Sequence, residues 1–219
     1  MKVGRMIGIA LMPLAAACAQ GMNGAMMSPS GQADAQAHAI LSASDAGEIQ
    51  TSQVATGRAQ SQAVRAFAQR MITDHSNALA VREQRLGSMG MGLRASTMAM
   101  GGTMSAGSGS GTGTFTSAMV LTPAGMTDLN AVLMANPASR PLAQTAMGDV
   151  QRLQQMSGMQ LDQAYMTRQV EMHQYTLATM DRILAQNAVS ADTRALMVTQ
   201  RAAVAMHLQM AQQIRASMM

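Results

Sequence analysis

The sequence predicts an all-α protein, built as a four-helix bundle with a long crossover between its second and third helices. Three observations support this. Apolar residues make up 48% of the 219 residues, which is enough to bury one core. Aromatic residues make up only 2%, whereas Met occurs 26 times, and such a core suits helices better than strands. The third observation is the helical spacing of apolar residues in four long segments.

The N-terminal segment predicts export. Residues 1–17 have the form of a signal peptide, with Lys2 and Arg5 before a short apolar run and three alanines. Cys18 is the only cysteine, and residues 14–18 (LAAAC) resemble a bacterial lipobox, in which the cysteine becomes a lipidated N-terminus. We therefore expect an outer-membrane lipoprotein whose partner is the membrane, reached through a lipid anchor on Cys18. Plain cleavage after Ala17, with release into the periplasm, is the alternative.

The charge pattern argues against a nucleic-acid partner. Without Lys2 and Arg5 the formal charge falls from +4 to +2, and the remaining arginines are scattered singly. A basic run with interleaved aromatic residues is missing from the sequence, so the arginines are interpreted as part of solvated helix faces.

Four long helices are expected in the bundle domain, residues 34–218. Residues 18–33 lack periodicity and are rich in small residues and Met, which predicts a tether. The first helix has the weakest apolar stripe, Gly87 is expected to end the second, and Ser190 is expected to cap the fourth. The expected helices are Asp34–Arg58, Ser61–Leu86, Met159–Asn187 and Ala191–Met218.

The connections predict the topology. Short turns join the first helix to the second and the third to the fourth, so each pair must be antiparallel. Residues 88–117 are rich in Gly, Ser, Thr and Met, which predicts a disordered insertion. Between Pro123 and Ser157 two short helical pieces are expected, broken at Asn136-Pro137 and before Pro141, as a crossover packed on the bundle. Two antiparallel pairs joined by a long crossover form the ferritin-like plan.

Three of the four histidines lie near the middle of three different predicted helices, each within the apolar stripe. If these helices face one core, the rings meet at a similar depth, and Glu48 in the middle of the first helix can join them. Imidazoles and a carboxylate inside a bundle are typical ligands of zinc, copper or iron. Asp74 and Glu171 neighbour two of the histidines and are candidates as ligands or as acceptors for a ring N–H. The predicted metal-site residues are Glu48, Asp74, His75, Glu171, His173 and His207.

Two alternative interpretations remain. The same residues could form a buried polar network that fixes helix register without any metal. Five methionines of the insertion resemble the soft-ligand segments of envelope copper-handling proteins, although we favour a composition bias as their explanation. These are Met89, Met91, Met98, Met100 and Met104. A nucleophilic catalytic set, a phosphate loop and a Cys-based metal motif are all missing from the sequence, so enzymatic function is not expected.

Four sequence motifs resemble those of the bacterial domain-of-unknown-function family 4142, over about Asp34 to Ile214. They are Ala46-Gly47-Glu48-Ile49, Val64-Arg65-Ala66-Phe67-Ala68-Gln69-Arg70-Met71 with Asp74-His75, Leu161-Asp162-Gln163-Ala164-Tyr165 leading to His173, and His207-Leu208. The resemblance implies an exported, ferritin-like four-helix protein with no settled activity, and it points to Glu48, Asp74, His75, His173 and His207. The long insertion departs from the family pattern.

The three mid-helix histidines are not part of the Glu-x-x-His pairs that ferritin-like di-iron sites use. Ile72, Val170 and Val204 stand three residues before the three histidines. The sequence therefore favours a mononuclear, histidine-rich site over a di-iron centre.

Overall fold

The computed structural model describes residues 28–88, 119–122, 125–128 and 133–218. Within these residues the chain forms five helices of several turns and a short β-hairpin, so the all-α prediction is confirmed. The helices are α1 (Pro29–Arg58), α2 (Gln62–Ser88), α3 (Arg140–Gln154), α4 (Gly158–Ala185) and α5 (Ala191–Ser217), and the strands are β1 (Met119–Thr122) and β2 (Gly125–Asp128). The predicted signal peptide, Cys18 and the five insertion methionines lie outside the described residues.

Local signals explain where two of the helices begin. The Ser28 hydroxyl accepts a hydrogen bond from the Gly31 N–H at 3.1 Å, and Pro29 occupies the first turn of α1, where a missing N–H costs little. Helix α1 therefore starts before Asp34, and the last part of the expected tether, residues 29–33, is helical. Ser190 caps α5 as expected, with its hydroxyl 3.3 Å from the Thr193 N–H. Gly87 does not end α2, which continues to Ser88.

The hydrogen bonds of two carboxylates show which ends of the four long helices lie together. Asp162 at the start of α4 accepts the N–H groups of Gln60 and Ser61, in the α1–α2 turn, at 3.0 and 2.7 Å. Asp34 at the start of α1 accepts the N–H of Ser190 at 2.9 Å. Helices α1 and α5 thus begin at one end of the bundle, here called the upper end, and α2 and α4 begin at the lower end.

These directions require a crossover. Helix α1 packs on α2 and α4, and α5 packs on α4 and α2, so all four neighbouring pairs are antiparallel. The chain leaves α2 at the upper end and enters α4 at the lower end. Helix α3 lies in this connection and packs mainly on α1.

The connection differs from the expected pair of helical pieces in one place. Helix was expected from Pro123 onward, but β2 pairs antiparallel with β1, with Val120 opposite Thr127. Their β-branched side chains favour a strand, which explains the difference. The helical pieces follow later, as a turn at 133–135 and as α3, which carries Pro141 in its first turn.

Helix α1 is buried on nearly every side, because α2, α3 and α4 surround it. Residues 42–48 are all buried, and most of them are small or polar. Gly47 lies against α3 so closely that an added Cβ would be 2.9 Å from the Cβ of Ala146. This surrounded position explains why α1 has such a weak apolar stripe.

Two of the apolar clusters lie above and below the middle of the bundle. The lower cluster includes Phe67, Met71, Leu161, Tyr165 and Ala211. The upper cluster includes Leu41, Met180, Met197 and Val204. The three mid-helix histidines lie in the layer between these clusters. Among the described helices, none is long and apolar enough to cross a bilayer.

Candidate metal centre

His75, His173 and His207 meet in the interior of the bundle, one from each of α2, α4 and α5. Their residues are 4%, 1% and 2% exposed. The ring centroids are 5.7 Å apart for His75 and His173, 5.4 Å for His75 and His207, and 5.5 Å for His173 and His207. One ring nitrogen from each lies within 4.8 Å of one from each of the others. The three helices thus bring three imidazoles together at one level.

Each ring has a hydrogen-bond acceptor at one of its two nitrogens. His75 Nδ1 lies 2.8 Å from a carboxylate oxygen of Asp45, and His173 Nδ1 lies 2.8 Å from the main-chain carbonyl of Gln169. His207 Nε2 lies 2.8 Å from a carboxylate oxygen of Asp74. Because ionised carboxylates and carbonyls only accept hydrogen bonds, each of these ring nitrogens carries the proton and donates it.

The other nitrogen of each ring is therefore a bare lone pair when the ring is neutral. These atoms are Nε2 of His75, Nε2 of His173 and Nδ1 of His207, and all three are buried without a hydrogen-bond partner among the residues that the structure describes. Buried polar atoms in native proteins nearly always have partners. Three unpaired lone pairs in one small cluster are what a metal cation requires, and outer acceptors of this kind orient metal-binding histidines.

The three rings are neutral at neutral pH. Burial lowers the pKa of His75 and of His173 below the usual 6.5, although the nearby Glu48 carboxylate acts to raise both. Burial also lowers the pKa of His207 to about 4, against the opposing hydrogen bond to Asp74. Neutral imidazole is the form that binds metals, so the cluster is ready to accept a cation without losing protons.

The surrounding carboxylates are themselves anchored. Asp45, which accepts from His75, is also paired with the buried guanidinium of Arg82, and Arg82 donates to the side chain of Gln200 at 2.6 Å. Burial acts to raise the pKa of Asp74, but its hydrogen bonds with His207 and Arg70 outweigh this, so the pKa is lowered and the group stays ionised.

The comparison with protein families agrees with the sequence motifs. The family model described as a domain of unknown function, DUF4142, matches residues 17–98 and 121–214. The chain belongs to this family. No curated protein and no solved structure matches the chain, so the ferritin-like assignment of this DUF4142 member stays a prediction.

The structure brings five of the six candidate residues of this DUF4142 protein to the cluster or directly beside it. His75, His173 and His207 supply the converging rings. Asp74 follows the second of its two expected roles, as an acceptor, but its partner is His207 on α5. Glu48 is 2% exposed, with one carboxylate oxygen 3.6 Å from the proton-bearing Nδ1 of His173, so it lies on the outer side of that ring.

Glu171 is placed elsewhere. Its side chain is 57% exposed and pairs with Arg168 along α4 at 3.3 Å. Glu171 lies two residues before His173, which turns it about 200° around the helix and away from the core. The structure therefore does not support its inclusion among the metal-site residues.

Sequence reasoning missed two supporting residues. Asp45 holds His75, and Gln169 holds His173 through its carbonyl while its amide donates to Glu48 at 2.6 Å. The spacing did contain a signal for Asp45, because it stands one turn before Glu48 on the same face of α1. The role of Gln169 rests on its backbone carbonyl, which no sequence pattern reveals.

Proposed function

We propose that this protein binds one transition-metal ion through His75, His173 and His207 and serves in metal handling or stress protection in the bacterial envelope, without turnover. The observation that supports it is the set of three neutral, buried imidazoles that converge from three helices. Each of them is bonded outward through one nitrogen and has its second nitrogen free of any described hydrogen-bond partner. Nitrogen donors of this kind suit zinc, copper or iron.

A metal explains the cluster better than a network that only fixes helix register. Leaving a buried acceptor without a partner costs about 1–3 kcal/mol, and this cluster has three such acceptors. Their lone pairs also repel one another at short range. A cation removes both costs at once. At a zinc–nitrogen distance of 2.0–2.1 Å the donor atoms of a tetrahedral site are about 3.4 Å apart. One nitrogen of each ring already lies within 4.8 Å of one from each of the others, so metal binding requires the rings to move closer together.

The first test is metal analysis of the purified mature protein. We expect close to one equivalent of a transition metal, or uptake of one equivalent when zinc, copper or iron is added. His75→Ala combined with His207→Ala should abolish binding. His38→Ala is the matched control, because His38 is the fourth histidine, is also buried, and is bonded to Thr193 at 3.2 Å outside the cluster. Glu171→Ala should also retain the metal.

The alternative function is a structural or interaction module with a metal-free polar network. On that hypothesis each histidine substitution lowers the free energy of unfolding by a few kcal/mol while the metal content stays at zero. A wild-type protein that carries and takes up no metal, and whose stability is unchanged by EDTA, would contradict the metal proposal.

Export and anchoring are proposed from the sequence. The signal-like residues 1–17 and the lipobox-like stretch before Cys18 support an outer-membrane lipoprotein. Expressed in a bacterial host, the wild-type chain should incorporate radiolabelled fatty acid and fractionate with the outer membrane, whereas Cys18→Ala should abolish the label and leave the protein unanchored. Equal label in both proteins would rule out this anchor.

A further inference from the structure

A small cavity lies beside the histidine cluster on its upper side. Its volume is about 40 Å³, and residues of all four long helices line it. Ala78, Thr176 and Val204 lie three residues from His75, His173 and His207, and in each case the step runs toward the upper end. His75 and His207 also line the cavity, so it extends from these two rings into the layer one helical turn above them.

The lower side of the cluster is filled. Met71, Val170 and Ala211 lie three or four residues from the same histidines toward the lower end, and each is at most 3% exposed. All three belong to the lower apolar cluster. Three protein ligands leave at least one position of a four-coordinate metal open, and the packing closes the lower direction to it.

Glu48 is poorly placed to take the open position. Its Oε2 accepts a hydrogen bond from the Gln169 amide at 2.6 Å, and its Oε1 lies 3.6 Å from His173 Nδ1, on the side of that ring away from the lone pair. These contacts hold Glu48 beside the outer edge of the cluster. Glu48 therefore does not supply the fourth ligand in this arrangement.

The cavity suits a ligand of a few atoms. One water needs about 10–15 Å³ of such space, so 40 Å³ holds a small molecule and little more. The lining combines apolar side chains such as Leu41 and Met180 with the polar Thr176 and Gln200. Two carboxylates also line the cavity, but both already have cationic partners, since Asp45 pairs with Arg82 and Asp74 with Arg70. A divalent ion on three neutral rings would keep positive charge that favours an anion.

We propose that the metal on His75, His173 and His207 keeps one coordination position open toward this cavity, and that this position binds a small monodentate ligand. Water or hydroxide occupies it at rest, and a small anion such as azide displaces that water. This proposal rests on the proposed function and adds an exchangeable ligand site to it. A metal bound for purely structural reasons would instead be closed by four protein ligands.

The experiment loads the full mature protein with Co²⁺ and follows its visible absorption during titration with sodium azide. We expect a saturable change with one azide per cobalt. Ala203→Leu extends a side chain into the cavity and should weaken azide binding at least tenfold while one cobalt stays bound. Ala202→Leu is the matched control, because Ala202 is the next residue of α5 but is exposed, and it should behave like wild type.

Each outcome decides the question. The proposal would be overturned if azide left the spectrum of the cobalt-loaded wild type unchanged. It would also be overturned if the Ala203→Leu protein bound azide as tightly as wild type. If Ala203→Leu fails to fold or to take up cobalt, Ala78→Val, a smaller change on another wall of the cavity, is judged by the same criterion. Failure of wild type to bind cobalt, zinc, copper or iron at all is a different result, because it rejects the proposed function itself.

Discussion

The hydrogen bond at one nitrogen of each histidine determines whether the other nitrogen can bind a metal. Because an acceptor holds the proton on the outer nitrogen, the ring cannot rotate or change tautomer without losing that bond. The three rings are thereby held close together before any metal arrives, with one nitrogen of each within 4.8 Å of one from each of the others. At the residue scale, the proposed site depends on these acceptors as much as on the histidines.

Removing one acceptor should weaken metal binding without removing a ligand. We expect Asp74→Ala to lower metal affinity about 10- to 100-fold, because His207 loses the partner that orients it. Competition with a chelator of known affinity measures this. Asp181→Ala is a suitable control, since Asp181 pairs with Arg201 on the exposed face between α4 and α5. Equal affinities for the Asp74 and Asp181 variants would show that the outer bond has no such role.

The metal-free protein should lose stability as the pH falls from about 6.5 to about 4. The pKa of His207 is lowered from 6.5 to about 4 in the folded state, and those of His75 and His173 are also lowered. Between these pH values the unfolded chain binds more protons than the folded protein does. The free energy of unfolding therefore rises with pH over this range, and above about pH 6.5 the histidines cause no further change.

Urea unfolding of the EDTA-treated protein at several pH values measures this dependence. The His207→Ala variant should show a shallower slope over the same range, because one of the lowered pKa values is gone. Asp74 provides a separate check, since its lowered pKa adds a loss of stability only below about its usual value of 3.8. Identical slopes for wild type and His207→Ala between pH 6.5 and 4 would contradict the assignment.

At the scale of elements, α1 is the central helix, and its packing against α3 depends on a glycine. We expect Gly47→Ala to lower the free energy of unfolding by about 1–2 kcal/mol, because the new Cβ would meet Ala146 at 2.9 Å and overpacking outweighs the better helix propensity of alanine. Gly57→Ala, in the same helix with nothing within 4 Å, should raise it by up to about 1 kcal/mol. Denaturant unfolding compares the two variants, and a stabilised Gly47→Ala protein would show that α3 is not tightly packed there.

The long helices could be read from the sequence because α2, α4 and α5 each bury one face and expose the other. Helix α1 was harder to recognise, since a helix surrounded by three others needs no polar face and can bury Ser42, Ser44 and Thr51 by hydrogen bonding or close packing. Its start was misplaced because Ser28 and Pro29 cap it within a stretch of tether-like composition. The hairpin was missed because two four-residue strands are too short for a clear alternating pattern.

For the whole molecule, the histidine layer could be predicted because the three rings sit at matching heights in antiparallel helices of known direction. The sequence did not reveal toward which neighbouring helix each side chain points. Asp74 is turned about 100° from His75 around α2, and this difference directs it to α5 instead of to its neighbour. The cavity above the rings was also beyond reach, because it depends on how the side chains of four helices fill one layer.

The polar layer interrupts the apolar core between its upper and lower clusters, so a metal there should stabilise the molecule as a whole. The ion would join α2, α4 and α5 at one point, and binding only to the folded state raises the free energy of unfolding by about 2.7 kcal/mol when free metal is 100 times the dissociation constant. Thermal unfolding should therefore shift upward with added metal in wild type and in His38→Ala, and should not shift when His75 and His207 are both alanine. A melting temperature that responds to metal equally in all three proteins would place the binding outside this layer, whereas a wild-type protein that does not respond at all would favour a metal-free network that holds the helices in register.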